Sequence, residues 1–330
     1  MLILLLLLIL GIVIMANLMT REKNLPTGRY FAVALSFFNL TFVAIGLLLV
    51  LELAEPFLQT ADLSDLLFAP RPAGLVIMLV GIWGVLVSQT AVRHWLSRYS
   101  KIDPDSTVHL LALLAAGYLI GATALTLVQG GVDRLAETAV AVGVVEVVTQ
   151  QFFFAMLALF GVGLLTRRNN EGLNERLGLV PLSQVSVKTA VRWVALLVLL
   201  QWIVGAAWFF TSPEQAESLG ALSNELFAEF DTVWEWFALA VASGVGEELL
   251  FRGALQPIFG LWPTSLLFAV AHVQYGITPA TFAILLVGLA LGIIRQRTNT
   301  TTAICVHFGY NFTLGMLALL ALYLEPLVTT

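Results

Sequence analysis

Residues 2–19 read LILLLLLILGIVIMANLM and contain no charged side chain. About 20 apolar residues in a row are enough for a helix to cross the hydrocarbon core of a membrane. A signal peptide carries its basic residues before the apolar core, whereas here Arg21 and Lys23 follow it. The stretch therefore predicts a retained first membrane helix with a cytoplasmic basic flank.

The composition of the whole chain predicts the same class of protein. Of the 330 residues, 59% are hydrophobic and 11% are charged, whereas soluble domains are about 45–50% apolar and about 25% charged. The mean hydropathy of +0.93 excludes both a soluble globular protein and a disordered chain. The net charge of -5 gives no reason to expect nucleic acid as a partner. The single cysteine, Cys305, excludes an intrachain disulfide.

Ten apolar runs predict an all-α, polytopic transmembrane helix bundle of about ten spans, or of eight if the two shortest runs do not cross. The runs are 2–19, 30–51, 73–92, 107–129, 144–166, 190–210, 233–256, 261–277, 279–294 and 302–324. The short runs at 261–277 and 279–294 are expected to be tilted partial spans or helices buried inside the bundle.

The basic residues predict which loops face the cytoplasm, because cytoplasmic loops are enriched in Lys and Arg. Alternate loops carry most of the 16 basic residues. The other loops hold Arg71 and Arg134 together with acidic residues that include Glu52, Asp62 and Asp65. We therefore expect an integral protein of the plasma membrane with both termini outside.

A polar, basic linker at 167–189 divides the chain into two sets of five spans. Gly172, Gly178 and Pro181 are expected to break helix continuity within it. The first set, 1–166, is interpreted as a scaffold, since its apolar runs carry no charge except Glu146 near an outer end. The second set, 190–330, contains the residues that suggest chemistry.

Residues 243–253 read SGVGEELLFRG and place three charges within one apolar run. Each such charge costs about 2.5–3.5 kcal/mol on membrane-insertion scales. Glu248 and Arg252 are four residues apart, so they share a helical face and can pair. Glu247 is turned by about 100° and has no basic partner on its own face. An unpaired carboxylate in such a place suits a general base, whereas a packing network without chemistry is the alternative.

Two further runs each carry a polar pair at helical spacing. These pairs are Phe268 with His272 and His307 with Asn311. Taken singly, such residues are often interhelical hydrogen-bonding groups. Taken with Glu247, they are expected to converge on a cytoplasm-facing cavity that supports hydrolysis. Glu247 would take a proton from water that His272 orients, while His307 and Asn311 would donate to an oxyanion.

The same atoms allow a metal interpretation, which stays open at this point. Glu247, His272 and His307 could ligate Zn²⁺ with water in the fourth position. The HExxH spacing of many zinc proteases is absent. If Glu247 were a ligand, Glu248 would have to act as the base.

The three motifs resemble those of the CAAX protease and bacteriocin-processing family, which includes the type II CAAX prenyl endopeptidases. That family shows EExxxR, FxxxH and HxxxN in this order. Here they are EELLFR at 247–252, FAVAH at 268–272 and HFGYN at 307–311. The resemblance covers about 231–324, and RLGL at 176–179 is similar to the stretch that often precedes the family core.

The resemblance implies an intramembrane endopeptidase that acts on a membrane-anchored or prenylated CAAX-type substrate. It also implies membrane lipids as partners. It implies that Glu247 is the essential base and that His272, His307 and Asn311 complete the site. Glu248, Arg252 and Phe268 would be supporting residues. Members of the family are often labelled metalloproteases, although a glutamate-activated water has also been argued.

Two rival functions use the same features. The chain could be a non-catalytic membrane binding or immunity protein that keeps the scaffold. It could also be a transporter, although intramembrane charges would then be expected in both halves. A separate expectation concerns Gly288 and Gly292, whose GxxxG spacing predicts close packing of their helix against a neighbour.

Overall fold

The computed structural model describes residues 2–21, 26–60, 69–131 and 141–328. Within these ranges all the named secondary-structure elements are helices and none is a strand, which confirms the all-α class. Eight of the helices are long and apolar enough to cross a membrane, so the protein is a multi-pass integral membrane protein. The outward position of both termini stays a prediction. Four charges used for it lie outside the described residues: Lys23, Asp62, Asp65 and Arg134.

Within its described residues, the first half supplies five of the eight spanning helices and two short ones. The seven helices are α1 (Leu2–Arg21), α2 (Thr27–Val50), α3 (Glu55–Thr60), α4 (Pro70–Ser88), α5 (Thr90–Leu96), α6 (Thr107–Val128) and α7 (Val144–Val162). α3 and α5 are the short ones, and they lie between longer neighbours.

The second half supplies the other three spanning helices, α9, α14 and α15, together with shorter elements. In chain order the elements are α8 (Asn170–Leu177), α9 (Gln184–Thr211), α10 (Pro213–Leu226), α11 (Val233–Glu247), a π-helical segment (Glu248–Leu255), α12 (Gln256–Phe259), α13 (Leu261–Val270), α14 (Pro279–Arg297) and α15 (Thr300–Val328). The run predicted at 233–256 is therefore a continuous helix of mixed type. Its first α-helical part, α11, has 15 residues and is therefore too short to be counted among the eight spanning helices.

The run at 261–277 does not form a single helix, which corrects the predicted bounds. α13 has only ten residues, and a 3₁₀ turn follows it. The chain can leave the helix because two freed carbonyl groups are satisfied by side chains. Thr123 of α6 donates to the Val270 carbonyl, and His272 donates to that of Phe268. Non-helical backbone at membrane depth is tolerated where protein groups satisfy it in this way.

One other predicted bound is also corrected. The run at 279–294 is predicted to be short, but α14 continues to Arg297 and is long enough to span. In the linker, helix continuity is broken at Gly178 and around Pro181 as predicted, whereas Gly172 lies inside α8. Asn169 caps the start of α8 by accepting the N–H of Gly172, and the helix ends at Gly178 with φ +71°. Gly172 is thus tolerated near a capped helix start.

The two halves share one apolar core. Leu110 and Leu113 of α6 belong to the same buried cluster as Phe251, Leu291 and Val306 of the second half. α7 also packs against both α11 and the π-helical segment. The helices of the first half therefore support the part of the chain that carries the charged motif.

Gly288 and Gly292 lie where α14 packs against α13. A Cβ on Gly288 would be 3.1 Å from Cδ1 of Phe268. A Cβ on Gly292 would be 2.4 Å from Cδ1 of Leu261, closer than real Cβ contacts allow. The predicted close packing is confirmed, and it positions Phe268 beside the candidate site.

Candidate active site

The charged motif lies at a junction between two kinds of helix. α11 ends at Glu247, and the π-helical segment begins at Glu248. π-Helical turns are rare and are often found at functional sites. The wider turn also leaves backbone carbonyl groups that need partners.

Arg176 of α8 supplies such partners from the linker. Its Nη1 donates to the Gly253 carbonyl at 2.7 Å, and its Nη2 donates to the Ala254 carbonyl at 3.0 Å. Leu177, the next residue, is fully buried. The RLGL stretch at 176–179 therefore contacts the core directly instead of only preceding it in sequence.

Glu247 is buried, with 8% of its surface exposed, and its two carboxylate oxygens have different surroundings. Oε1 accepts a hydrogen bond of 2.9 Å from Nε2 of Gln151 on α7. Oε2 lies 4.0 Å from Nε2 of His272 and accepts no hydrogen bond from any described residue. We call Glu247, Gln151 and His272 the Glu247 cluster.

His272 is held in one tautomer by the end of α13. Its Nδ1 is 2.7 Å from the Phe268 carbonyl oxygen. A carbonyl oxygen only accepts, so Nδ1 carries the proton, and Nε2 of the neutral ring carries a lone pair. Two acceptors, Nε2 of His272 and Oε2 of Glu247, therefore face each other across 4.0 Å. A group with protons to donate would satisfy both.

Glu248, Arg252 and His307 form a second group, which we call the Glu248 cluster. Nη1 of Arg252 donates to Oε1 of Glu248 at 3.1 Å, so the predicted pair is formed. Nδ1 of His307 lies 2.8 Å from the same oxygen. Nη2 of Arg252 donates to the Gly288 carbonyl at 3.0 Å. Both members of the ion pair are almost completely buried, and the Arg252 guanidinium on Oε1 compensates the Glu248 charge.

The bond from His307 to Glu248 was not predicted. The sequence suggested that His307 donates to an oxyanion, whereas its Nδ1 is bound to a carboxylate. With a proton on Nδ1, the neutral ring has only a lone pair at Nε2. His307 can donate from Nε2 only when both ring nitrogens are protonated.

The Phe268 ring contacts both clusters. Its centroid is 4.2 Å from Cζ of Arg252, a cation–π distance. The same centroid is 4.9 Å from the His272 ring and 5.9 Å from the His307 ring. Phe268 is 2% exposed. It therefore acts as an apolar spacer that fixes both imidazoles and covers the guanidinium.

Asn311 of α15 is hydrogen-bonded to α11 one helical turn before Glu247. Its Nδ2 donates to Oγ of Ser243 at 2.8 Å, and Ser243 donates to the Leu239 carbonyl. The amide nitrogen keeps a second N–H. Asn311 is thus fixed beside α11, and its described hydrogen bond goes to neither histidine.

The structure therefore places five of the seven residues named from the sequence in the two clusters and puts Phe268 in contact with both. It links the seventh, Asn311, through Ser243. Sequence reasoning missed Gln151, Ser243 and Arg176. Gln151 was visible as a polar residue inside the apolar run at 144–166. Its position opposite Glu247 depends on the packing of α7 on α11, which spacing along the chain does not give.

The three-ligand zinc arrangement does not fit these positions. In the part of the chain that the structure describes, no three His, Cys, Asp or Glu side chains are grouped closely enough to hold a metal ion. Glu247 approaches His272, whereas the described contacts of His307 are with Glu248 and Phe268. A zinc site needs three converging protein ligands.

Comparisons with known proteins agree with the motifs. Residues 229–313 match the family model described as Type II CAAX prenyl endopeptidase Rce1-like. The chain is 28% identical over 117 residues to a Bacillus subtilis (strain 168) protein named "Uncharacterized protein YpbD", which covers 35% of this chain and 60% of that relative. The chain thus spans less than two thirds of the relative's length. No solved structure matches. The resemblance predicted from the three motifs is confirmed over residues 229–313, which are similar to the Rce1-like type II CAAX prenyl endopeptidases.

Proposed function

We propose that this protein is an intramembrane endopeptidase that hydrolyses a peptide bond in a membrane-associated substrate. The family match supports a hydrolase of this class, and the eight apolar helices support a membrane location. One observation carries the proposal. Oε2 of Glu247, which accepts no hydrogen bond from a described residue, lies 4.0 Å from Nε2 of His272, an acceptor in the neutral ring.

A water molecule is the group that these two acceptors would bind. When one water donates two hydrogen bonds of about 2.8 Å at roughly the tetrahedral angle, the two acceptors lie roughly 4.3–4.6 Å apart. The 4.0 Å between Glu247 and His272 is close to this value. Such a water donates both protons to protein and turns its lone pairs toward the substrate carbonyl.

Glu247 then acts as the general base. As the water oxygen bonds to the carbonyl carbon, Glu247 takes one proton, and the carbonyl oxygen becomes an oxyanion. The tetrahedral intermediate collapses when the C–N bond breaks and the proton on Glu247 passes to the leaving amine. Gln151 holds Oε1, so the other carboxylate oxygen is directed at His272.

Two donors are assigned to the oxyanion. Asn311 supplies the second N–H of its amide, while Ser243 holds the first. His307 would supply Nε2–H when both of its ring nitrogens carry protons, with Nδ1–H donated to Glu248. Preorganised donors of this kind are usually a large electrostatic term in peptide hydrolysis.

The substrate class is proposed from the family and from the basic loops. We propose a peptide anchored in the membrane by a prenyl group or an apolar segment and cleaved on the cytoplasmic side of the plasma membrane. Membrane lipids are the other expected partner. The proposed reaction uses water and the residues above, since the described His, Cys, Asp and Glu side chains form no three-ligand group.

The experiment compares peptide termini in membranes from cells that express the full-length protein or Glu247→Gln. The proposal predicts new peptide ends with the active protein and none with Glu247→Gln. Glu225→Gln, an exposed change on α10, is the matched control and should keep them. If the wild type and Glu247→Gln give the same peptide ends at equal membrane levels, the non-catalytic binding or immunity function is correct. New ends that disappear on metal chelation would support the zinc interpretation instead.

A further inference from the structure

A cavity of about 500 Å³ lies where the end of α1, the turn after α7 and the loop before α6 meet. It is lined by Thr20, Arg21, Asp103, Thr166 and Arg167. Its volume is within the range of small-molecule sites, roughly 300–1,000 Å³. None of the lining residues belongs to the two clusters described above, so the cavity needs its own explanation.

Four arginine side chains lie close together at this end of the bundle. Burial and the guanidinium of Arg168 lower the pKa of Arg167, although Asp103 opposes this effect. The pKa of Arg176 is lowered to about 10, first by burial and then by its neighbours Arg168, Arg295 and Arg167. Because like charges repel more strongly where water is excluded, a bound anion would stabilise this region.

The lining offers donors that suit an anion. Nε–H of Arg167 is buried and has no hydrogen-bond partner among the described residues. Arg21 is exposed and donates one bond of 3.3 Å to the Thr166 carbonyl. A guanidinium has five N–H groups, so Arg21 retains donors for a ligand. Asp103 is an acid in the lining, so an anion would be held on the arginine side.

Exposed apolar side chains beside the cavity indicate the depth of lipid headgroups. Leu165, directly before two lining residues, is 83% exposed and has a left-handed φ of 61°. The next three N–H groups donate to the Gly163 carbonyl and hold this turn. Trp95 and Tyr99 are exposed on the segment that leads into α6. Trp and Tyr concentrate at membrane interfaces.

We propose that this cavity binds the phosphate group of an anionic phospholipid. Guanidinium groups bind phosphate oxygens through charge-assisted hydrogen bonds, and basic pockets between membrane helices bind anionic headgroups. The apolar surface at Leu165 favours a lipid over free inorganic phosphate, because the acyl chains have a place to lie.

Native mass spectrometry of the purified full-length protein in neutral detergent tests the proposal. The probes are phosphatidylglycerol, phosphatidylcholine and inorganic phosphate. The wild type should bind phosphatidylglycerol about tenfold more tightly than phosphatidylcholine, since both carry the phosphate but the choline cation of phosphatidylcholine cancels its charge and repels the arginines. Arg21→Gln combined with Arg167→Gln should remove this preference. Arg71→Gln changes an exposed arginine paired with Glu52 on another surface and should retain it.

Further variants keep the result interpretable. Arg21→Gln alone changes an exposed side chain and should weaken phosphatidylglycerol binding even if the double variant folds poorly. Lysine at both positions retains the charge and should retain most of the preference. Equal binding of the two lipids by the wild type would overturn the proposal, as would an unchanged preference in the well-folded double variant. Displacement of phosphatidylglycerol by equimolar inorganic phosphate would overturn the lipid assignment and identify a free-phosphate site.

Discussion

The Glu247 cluster and the Glu248 cluster start at adjacent residues and differ in how their carboxylates are compensated. Oε1 of Glu248 contacts a guanidinium and an imidazole. Oε1 of Glu247 accepts one hydrogen bond from the neutral amide of Gln151, and its Oε2 faces Nε2 of His272. Each carboxylate keeps one oxygen without a hydrogen bond from described residues, so the difference lies in charge. A compensated buried charge stabilises a fold, whereas an uncompensated one is available for chemistry.

The largest expected change in stability is at the Glu248 cluster. Glu248→Gln leaves the buried Arg252 guanidinium without its counter-charge, and breaking such a pair costs about 3–5 kcal/mol. We expect a lower melting temperature in detergent and a lower folded yield. Replacing both partners, Glu248→Met with Arg252→Met, should recover part of the loss. An unchanged melting temperature for Glu248→Gln would show that the pair does not stabilise the fold.

The next effect is on activity at the Glu247 cluster. His272→Asn removes the imidazole that shares the water with Glu247, so the rate should fall about 10²–10³-fold. The melting temperature should change little, because the ring is partly exposed and makes one described hydrogen bond. Initial rates and thermal unfolding on one preparation give both values. A large fall in stability without a specific loss of rate would make His272 structural.

A smaller effect is expected at the spacer that contacts both clusters. Gly288→Leu places a side chain where a Cβ alone is 3.1 Å from Phe268. Such overpacking costs about 1–3 kcal/mol of stability. Gly205→Leu on α9 is the control, because its Cβ would meet nothing within 4 Å. Equal melting temperatures for the two variants would mean that α14 does not pack on α13 as described.

The smallest effect is at the positioning residue. Gln151→Leu removes the bond to Oε1 of Glu247 and should lower kcat about tenfold with a smaller change in KM. Gln150→Leu changes the exposed neighbour and should match the wild type. A change in KM alone would remove Gln151 from the site.

Much of this comparison could be predicted from the sequence, and the reasons are local. Hydropathy located the spanning helices, because about 20 apolar residues are needed to cross a membrane. The i,i+4 spacing predicted the Glu248–Arg252 pair. The end of α13 at Val270 could not be predicted in this way, because the group that satisfies its carbonyl is Thr123, on a distant helix.

The remaining features depend on contacts between helices. His307 reaches Glu248 from α15, and Gln151 reaches Glu247 from α7. Periodicity shows which face of a helix is polar but gives no partner on another helix. The prediction that the first half is only a scaffold is therefore incomplete, since α7 contributes a hydrogen bond to the proposed base.

The central claim is that Glu247 is chemical while Glu248 is structural. The direct measurement determines kcat and melting temperature for Glu247→Gln and Glu248→Gln in parallel, with an internally quenched farnesylated CAAX peptide as the probe. We expect Glu247→Gln to melt like the wild type and to lose about 10²–10⁴-fold in kcat, and Glu248→Gln to melt at a lower temperature. Substantial turnover by well-folded Glu247→Gln, or a stable but inactive Glu248→Gln, would contradict the account.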